Sequence, residues 1–262
     1  MNDIEAKGKS NFSYLKYLAK KNETDIHPKG KTATDLLIKK LEIKDGQNVL
    51  EVGFGAGKTL VRLASAFNIN LYGIDAMPEM FYNAEKRISN AGLNNRIKIF
   101  LPERRKFPFP NDFFDMAFAE SVLGFQDDDD LNSLIDEIKR VLKTKGIFAA
   151  NDVVWKKGLN DEIVTKINAE CLNDFGMRHA TQDYWNYEDW KNFYIKNGFE
   201  ILSSELIPDQ DRPEINGNGK SPGLTLRSPF ILFKDLRYRM KMRKHKNDKE
   251  YVEARLFLMQ KR

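Results

Sequence analysis

Short apolar runs and stretches with helical spacing alternate along most of this chain. Asn48-Val-Leu-Glu-Val52, Asn70-Leu-Tyr-Gly-Ile-Asp75, Arg96-Ile-Lys-Ile-Phe100, Asp115-Met-Ala-Phe-Ala-Glu-Ser-Val-Leu-Gly124, which runs out into a loop, and Ile147-Phe-Ala-Ala-Asn-Asp-Val-Val154 have the length and continuity of buried strands. Between the first two, Lys58 to Phe67 reads as a helix. Between the fourth and fifth, Leu131, Leu134, Ile135, Ile138 and Leu142 make one apolar stripe, which Gly146 ends. Asp127 to Asp130 open that helix, and Lys139, Arg140, Lys143 and Lys145 lie near its end, so the charges complement the helix dipole. This explains the four aspartates without a metal, and no metal site is expected. Upstream, Phe12, Leu15, Leu18 and Ala19 mark a short helix and Thr34 to Leu41 a second. Downstream come a helix over Tyr187 to Asn197, a strand over Gly198 to Ile207 and a last strand over Val252 to Gln260. Strand, helix and strand in repeated succession predict an α/β fold with an open sheet.

The junction of the first strand and helix carries the chemistry. Gly53, Gly55 and Gly57 follow the strand at alternate positions, where a sharp turn lets a ligand approach the backbone and the helix start offers unpaired N–H groups. A dinucleotide site has the spacing G-x-G-x-x-G, whose third glycine would fall on Lys58. Glu51, two residues before the first glycine, would repel a pyrophosphate and attract a ligand that carries positive charge.

The segment Glu51-Val-Gly-Phe-Gly-Ala-Gly57 resembles the first motif of the class I S-adenosylmethionine (SAM) dependent methyltransferases, E/D-x-G-x-G-x-G. Three further segments resemble that family. Asp75 closes the second strand, where a carboxylate can accept hydrogen bonds from a ribose diol. Glu103 followed by Phe107-Pro-Phe-Pro-Asn-Asp-Phe-Phe-Asp115 matches an acid, spacer, L-P-F, turn and F-D segment, with Phe107 in place of the usual leucine. Arg140-Val-Leu-Lys-Thr-Lys-Gly146 is similar to the turn R-x-L-K-x-G-G before the fifth strand. The resemblance implies a Rossmann-like, seven-stranded, mostly parallel sheet with helices on both faces, in which the last two strands form an antiparallel hairpin. It implies SAM as cofactor, S-adenosylhomocysteine as product, and cofactor contacts from Glu51, Gly53, Gly55, Gly57, Asp75, Ala76, Glu103, Arg104 and Ala119.

Acceptor choice is expected in the parts added to the sheet. Residues 1–47 read as an N-terminal helical cap and residues 48–262 as the methyltransferase domain, with lid insertions at about 155–186 and 208–248. These additions are rich in aromatic residues and Met, as a lid over an apolar pocket would be. Tyr14, Tyr17, Phe125 and Trp155 are the expected pocket residues, and relatives with similar additions act on small molecules. Methyl transfer from a sulfonium needs mainly positioning, plus a base where the acceptor must lose a proton. His27 and His179 are the candidate bases, because the chain has three histidines and His245 lies in a basic run. His27 is preferred, and Glu120 is expected to act there or to orient the substrate or the amino-acid end of SAM. Many family members carry a histidine after the fourth strand, where this chain has Leu123-Gly124-Phe125.

The formal charge is +5, and part of the excess lies in Arg237, Arg239, Lys241, Arg243, Lys244 and Lys246. Phe233, Leu236 and Met240 recur there at spacings of three and four, which predicts a helix packed on the core with its cations in water. The alternative is an arm that docks RNA or a protein, which makes an RNA or protein methyltransferase the second reading and a non-catalytic SAM-binding protein the third. Nucleic acid is not the expected partner, since the fourth strand does not run into the N/D-P-P-Y sequence of nucleobase amino methyltransferases. The chain shows neither an export signal nor an apolar run long enough for a bilayer, so a cytoplasmic location is expected. The single cysteine, Cys171, reads as a small buried apolar residue.

Overall fold

The structure is a computed structural model that describes residues 11–21, 29–103, 106–181, 185–208 and 229–262, the side chains of 229–235 excepted. Seven strands form one sheet: β1 (Asn48–Val52), β2 (Asn70–Ile74), β3 (Ile97–Phe100), β4 (Phe114–Glu120), β5 (Leu142–Trp155), β6 (Phe199–Leu206) and β7 (Val252–Lys261). Their order is β3-β2-β1-β4-β5-β7-β6. Strands β1 to β5 pair in parallel, and β7 runs antiparallel between β5 and β6. The order reverses between β1 and β4. That is the switch point at which open α/β sheets bind ligands beyond the carboxyl ends of their strands.

Alternation along the strands explains the layers. Val49, Leu71, Met116 and Phe118 face one way, against α2 (Gly30–Leu41), α3 (Lys58–Ala66) and α4 (Pro78–Asn90). Leu50, Ala117, Ala119 and Phe148 face the other way, against α5 (Asp128–Val141) and α7 (Tyr187–Lys196). Each such strand is buried on both faces, which is why it reads as a continuous apolar run rather than an alternating one. Three helices of the first layer hold core residues from widely separated parts of the chain, Leu37, Leu60 and Ile88 among them.

A third cluster sits over the end of β5. Trp155, Val164, Ile167, Cys171 and Phe175 pack together, and Tyr14 and Tyr238 lie against them. It joins α6 (Asp161–Phe175) to α1 (Ser13–Lys20) and to α8 (Pro229–Lys244).

Three features depart from the pattern in the sequence. Helices α4 and α6 were not marked by the spacing argument. Strand β5 starts at Leu142 rather than Ile147, and its ladder to β4 is irregular, with Phe114 opposite Leu142 and Met116 opposite Ile147. The C-terminal helix does not bury the stripe assigned to it. Leu236 and Met240 are 57% and 62% exposed, and the Phe233 side chain lies outside the described residues. The inward face is instead Tyr238, which meets the rings of Tyr14 and Tyr17, and Lys241, whose Nζ donates to the Asp174 carbonyl at 2.6 Å. Helix α6 presents Glu170 and Asp174 to it, so the complementary face of α8 is cationic and aromatic rather than aliphatic. No helix among the described residues is long and apolar enough to cross a membrane.

Candidate functional site

A cavity of about 380 Å3 opens at the carboxyl ends of β1, β2 and β4. Its floor is the turn after β1. Gly53 and Gly57 have φ of +73° and +74°, and a Cβ at either would meet Val122 at 2.4 Å or Ala84 at 2.8 Å, so protein packing alone demands glycine there. Gly55 differs. Its φ is +51°, yet a Cβ would meet nothing within 4 Å, because the open side of Gly55 is the cavity. Backbone is thereby left bare toward whatever the cavity holds.

Three carboxylates line this end: Glu51, Asp75 and Glu120. Asp75 braces the turn, accepting from the Gly55 N–H and the Met77 N–H at 2.8 Å each. Burial pushes its carboxyl up to about 6, against the downward pull of those two N–H groups. Glu51 is 3% exposed and its Oε2 has no hydrogen-bond partner. Burial, then the nearby Glu120 and Asp75 charges, hold its carboxyl well above the usual range. Glu120 is oriented from two helices, by the Thr34 hydroxyl of α2 at 2.8 Å and the Thr59 hydroxyl of α3 at 3.1 Å. A buried acid with an unpartnered oxygen beside two more acids is costly unless a cationic ligand completes the site.

The other end of the cavity is apolar. Phe12 and Leu15 of the α1 region, Val122 and Phe125 after β4, Leu134 of α5 and Met177 after α6 form it, with Ser121, Gln126, Asp130 and Ser133 as its polar groups. Two of these walls are tied to each other, since the N–H groups of Asn11 and Phe12 both donate to the Gly176 carbonyl at 2.9 Å. The loop carrying Val122 and Phe125 is held from below by Asp152 of β5, which accepts from the Leu123 N–H at 3.0 Å and the Gly124 N–H at 3.1 Å. Burial pushes the Asp152 carboxyl up to about 7.

Of the residues expected to hold cofactor, Glu51, Gly53, Gly55, Asp75 and Ala76 line the cavity. Gly57 stands behind the wall as the N-cap of α3, and Ala119 is fully buried in β4 just before the lining residues Glu120, Ser121 and Val122. Glu103 is exposed and bridges to Lys106, while its neighbours Pro102 and Phe107 line the cavity. Arg104 and His27 lie outside the described residues. Of the expected pocket residues, Phe125 lines the cavity. Tyr14 and Tyr17 lean on each other and on Tyr238, turned toward α8. Trp155 is wholly buried under α6, with its Nε1–H donating to the Thr181 carbonyl at 3.2 Å. His179 packs on Trp155, and burial lowers its pKa. The sequence reading missed Thr34 and Thr59, which resemble ordinary helix residues, and Asp152, which an acid inside an apolar strand could have signalled.

The model of a family described as "Methyltransferase domain" matches residues 49–146, the stretch that builds the glycine turn and all three acids. Over this stretch the chain is a class I SAM-dependent methyltransferase domain. This methyltransferase is 28% identical over 188 residues to an uncharacterised protein of Haemophilus influenzae, an alignment that covers 72% of each chain. It is 26% identical over 185 residues to the methyltransferase GfsG of Streptomyces halstedii, covering 70% of this chain and 64% of that one. Among solved structures, phosphoethanolamine N-methyltransferase 2 of Haemonchus contortus, in complex with SAM, superposes with a TM-score of 0.68 at 20% identity. That match covers 95% of this chain and 56% of the other and bears on fold alone.

Proposed function

We propose that this methyltransferase moves the methyl group of SAM to a small, largely apolar acceptor. The observation that carries the reading is one continuous cavity with an acid-lined end and an apolar end. SAM fits the first. Its sulfonium and ammonium charges answer Glu51 and Glu120, its ribose diol answers Asp75, and Gly55 leaves room for close backbone approach. When bound, it supplies an activated methyl group. The protein's part is to hold donor and acceptor in line and to exclude water.

Glu120 suits orientation of a cationic group, because the Thr34 and Thr59 hydroxyls each donate to one of its oxygens and fix its direction. Phe12, Leu15, Phe125 and Met177 are the acceptor-side surface in this reading, with the α1 region and the end of α6 as a lid. The sterol methyltransferases and the 27-O-demethylrifamycin SV methyltransferase among the relatives support a small-molecule acceptor. His27 as base remains part of the proposal for acceptors that must lose a proton.

The test is transfer of labelled methyl from SAM into a small-molecule extract, with products identified by mass. Production of S-adenosylhomocysteine with a labelled apolar product is expected, and Phe125→Asp should suppress it while SAM binding persists. Labelling confined to RNA or protein, or SAM binding without turnover on any acceptor, would overturn the reading.

A further inference from the structure

Away from the cavity, α8 and the 3-10 turn that follows it (His245–Glu250) meet α6 through a compact group of metal-ligating atoms. Cys171 Sγ lies 3.5 Å from His245 Nδ1, and Asp248 Oδ2 lies 2.5 Å from the same nitrogen. All three donor atoms fall within 4.8 Å of one another. The other ring nitrogen, His245 Nε2, is 3.0 Å from Asp174 Oδ2. We propose that Cys171, His245 and Asp248 bind a divalent cation of the zinc class, with Asp174 as the outer carboxylate that orients the histidine.

The imidazole has an acid at each nitrogen. If Nε2–H donates to Asp174, Nδ1 presents a lone pair to the Asp248 oxygen, and that contact is repulsive unless a proton or a metal stands between them. Thiolate, imidazole and carboxylate together are a zinc-type donor set. A histidine ligand backed by a carboxylate at its far nitrogen is the usual supporting arrangement. Distances agree with this. Tetrahedral zinc with bonds of about 2.3 Å to sulfur and about 2.0 Å to nitrogen or oxygen sets S···N near 3.5 Å and N···O near 3.3 Å. The Cys171–His245 separation already has that value, and the His245–Asp248 pair must open by roughly 0.8 Å.

Placement favours the same conclusion. His245 and Asp248 are one turn apart in a 3-10 helix, where side chains three residues apart project in the same direction. Charge also balances: thiolate and Asp248 offset the cation, while Lys241 and Lys244 pair with Asp174 and Glu170. The side chains of His245, Asp174 and Asp248 are 5%, 11% and 16% exposed, which shields the site. A cation here would rivet the C-terminal helix to α6, whose end leads into Met177 of the cavity wall.

Cobalt(II) is the probe, added to the metal-free full chain. Cys171 is the sole cysteine, so a thiolate-to-cobalt charge-transfer absorption in the near ultraviolet reports this site alone. The band should saturate at one equivalent and vanish on addition of Zn2+. Zn2+ should raise the thermal midpoint of the wild type and leave that of Cys171→Ser unmoved, and Asp174→Asn should weaken binding by about ten- to a hundredfold. Absence of the thiolate band at stoichiometric cobalt overturns the proposal, and the wild-type spectrum decides this even if a variant fails to fold. Undiminished zinc affinity in Cys171→Ser overturns it equally.

Discussion

Binding of SAM should expel a proton, and Glu51 should be its main source. The carboxyl is buried, its Oε2 is unpartnered, and the charges of Glu120 and Asp75 add to the burial that keeps its proton on. A cationic ligand reverses the balance. At about 5 Å and an effective dielectric of about 20, the attraction between one unit charge and the carboxylate is about 3 kcal/mol. That is roughly a hundredfold in proton affinity, so the bound cation should draw proton from Glu51. The measurement is calorimetric titration at pH 6.5 in buffers of different ionisation enthalpy, whose slope counts protons released per ligand bound. At that pH the ligand's own amine is already charged, since such groups titrate at about 7.7–8.0. Asp75, at about 6, contributes roughly a quarter of a proton if ribose hydrogen bonds hold it ionised. Glu51→Gln should therefore remove most of the release and leave a small remainder. Zero net release by the wild type, or the same release by Glu51→Gln, would refute the reasoning.

Asp75→Ala should weaken SAM binding by about 1.5–3 kcal/mol, ten- to a hundredfold, through lost charge-assisted hydrogen bonds and a loosened Gly55 turn, as read by calorimetry on the folded variant. Gly55→Val, strained at its φ of +51° but meeting no protein atom within 4 Å, should lower SAM affinity as well as stability, whereas Gly57→Val, strained alike and driven into Ala84, should lower the thermal midpoint further; the reverse ranking of midpoints would count against the packing at Gly57. Asp152 is raised in the folded state from 3.8 to about 7, so its contribution is greatest below about 4 and is lost as pH climbs through about 7, a swing of about 4 kcal/mol. In urea unfolding, the wild type should lose stability relative to Asp152→Asn between pH 4 and 8, and parallel curves would count against this. Leu236→Ala should shift stability by less than about 0.5 kcal/mol, against about 2–5 kcal/mol for the buried Leu37→Ala, and equal losses would return Leu236 to the core.

The strands and the acid-lined end of the cavity were legible because each motif sits where a strand stops. Glu51, Asp75 and Glu120 are far apart in sequence but share one end of a parallel sheet, so reading strand ends amounts to reading a single place. The apolar end was less legible. Phe12 and Met177 reach the cavity from a helix start and a loop, and no periodicity says which side of such segments turns inward. Tyr14 and Tyr17 share a short helix with Leu15, and only the presence of Tyr238 decides that they turn from the cavity. The face of α8 was misread for the same reason. Apolar spacing predicts burial only when the opposing surface is apolar, and the acids of α6 were not visible as its partner.

Thr34 gives the boundary of the matched segment a different meaning. The family likeness begins at residue 49, yet the hydroxyl that steadies Glu120 comes from α2, fifteen positions earlier, and Ala33, Leu37 and Leu41 of that helix are buried against the sheet. Heredity and mechanics therefore divide this chain at different points. A fragment beginning at β1 would keep every recognisable motif, yet it would bare an apolar face and remove one of the two hydroxyls that orient Glu120. In chimeras that exchange methyltransferase modules for new acceptors, the seam should fall before Gly30.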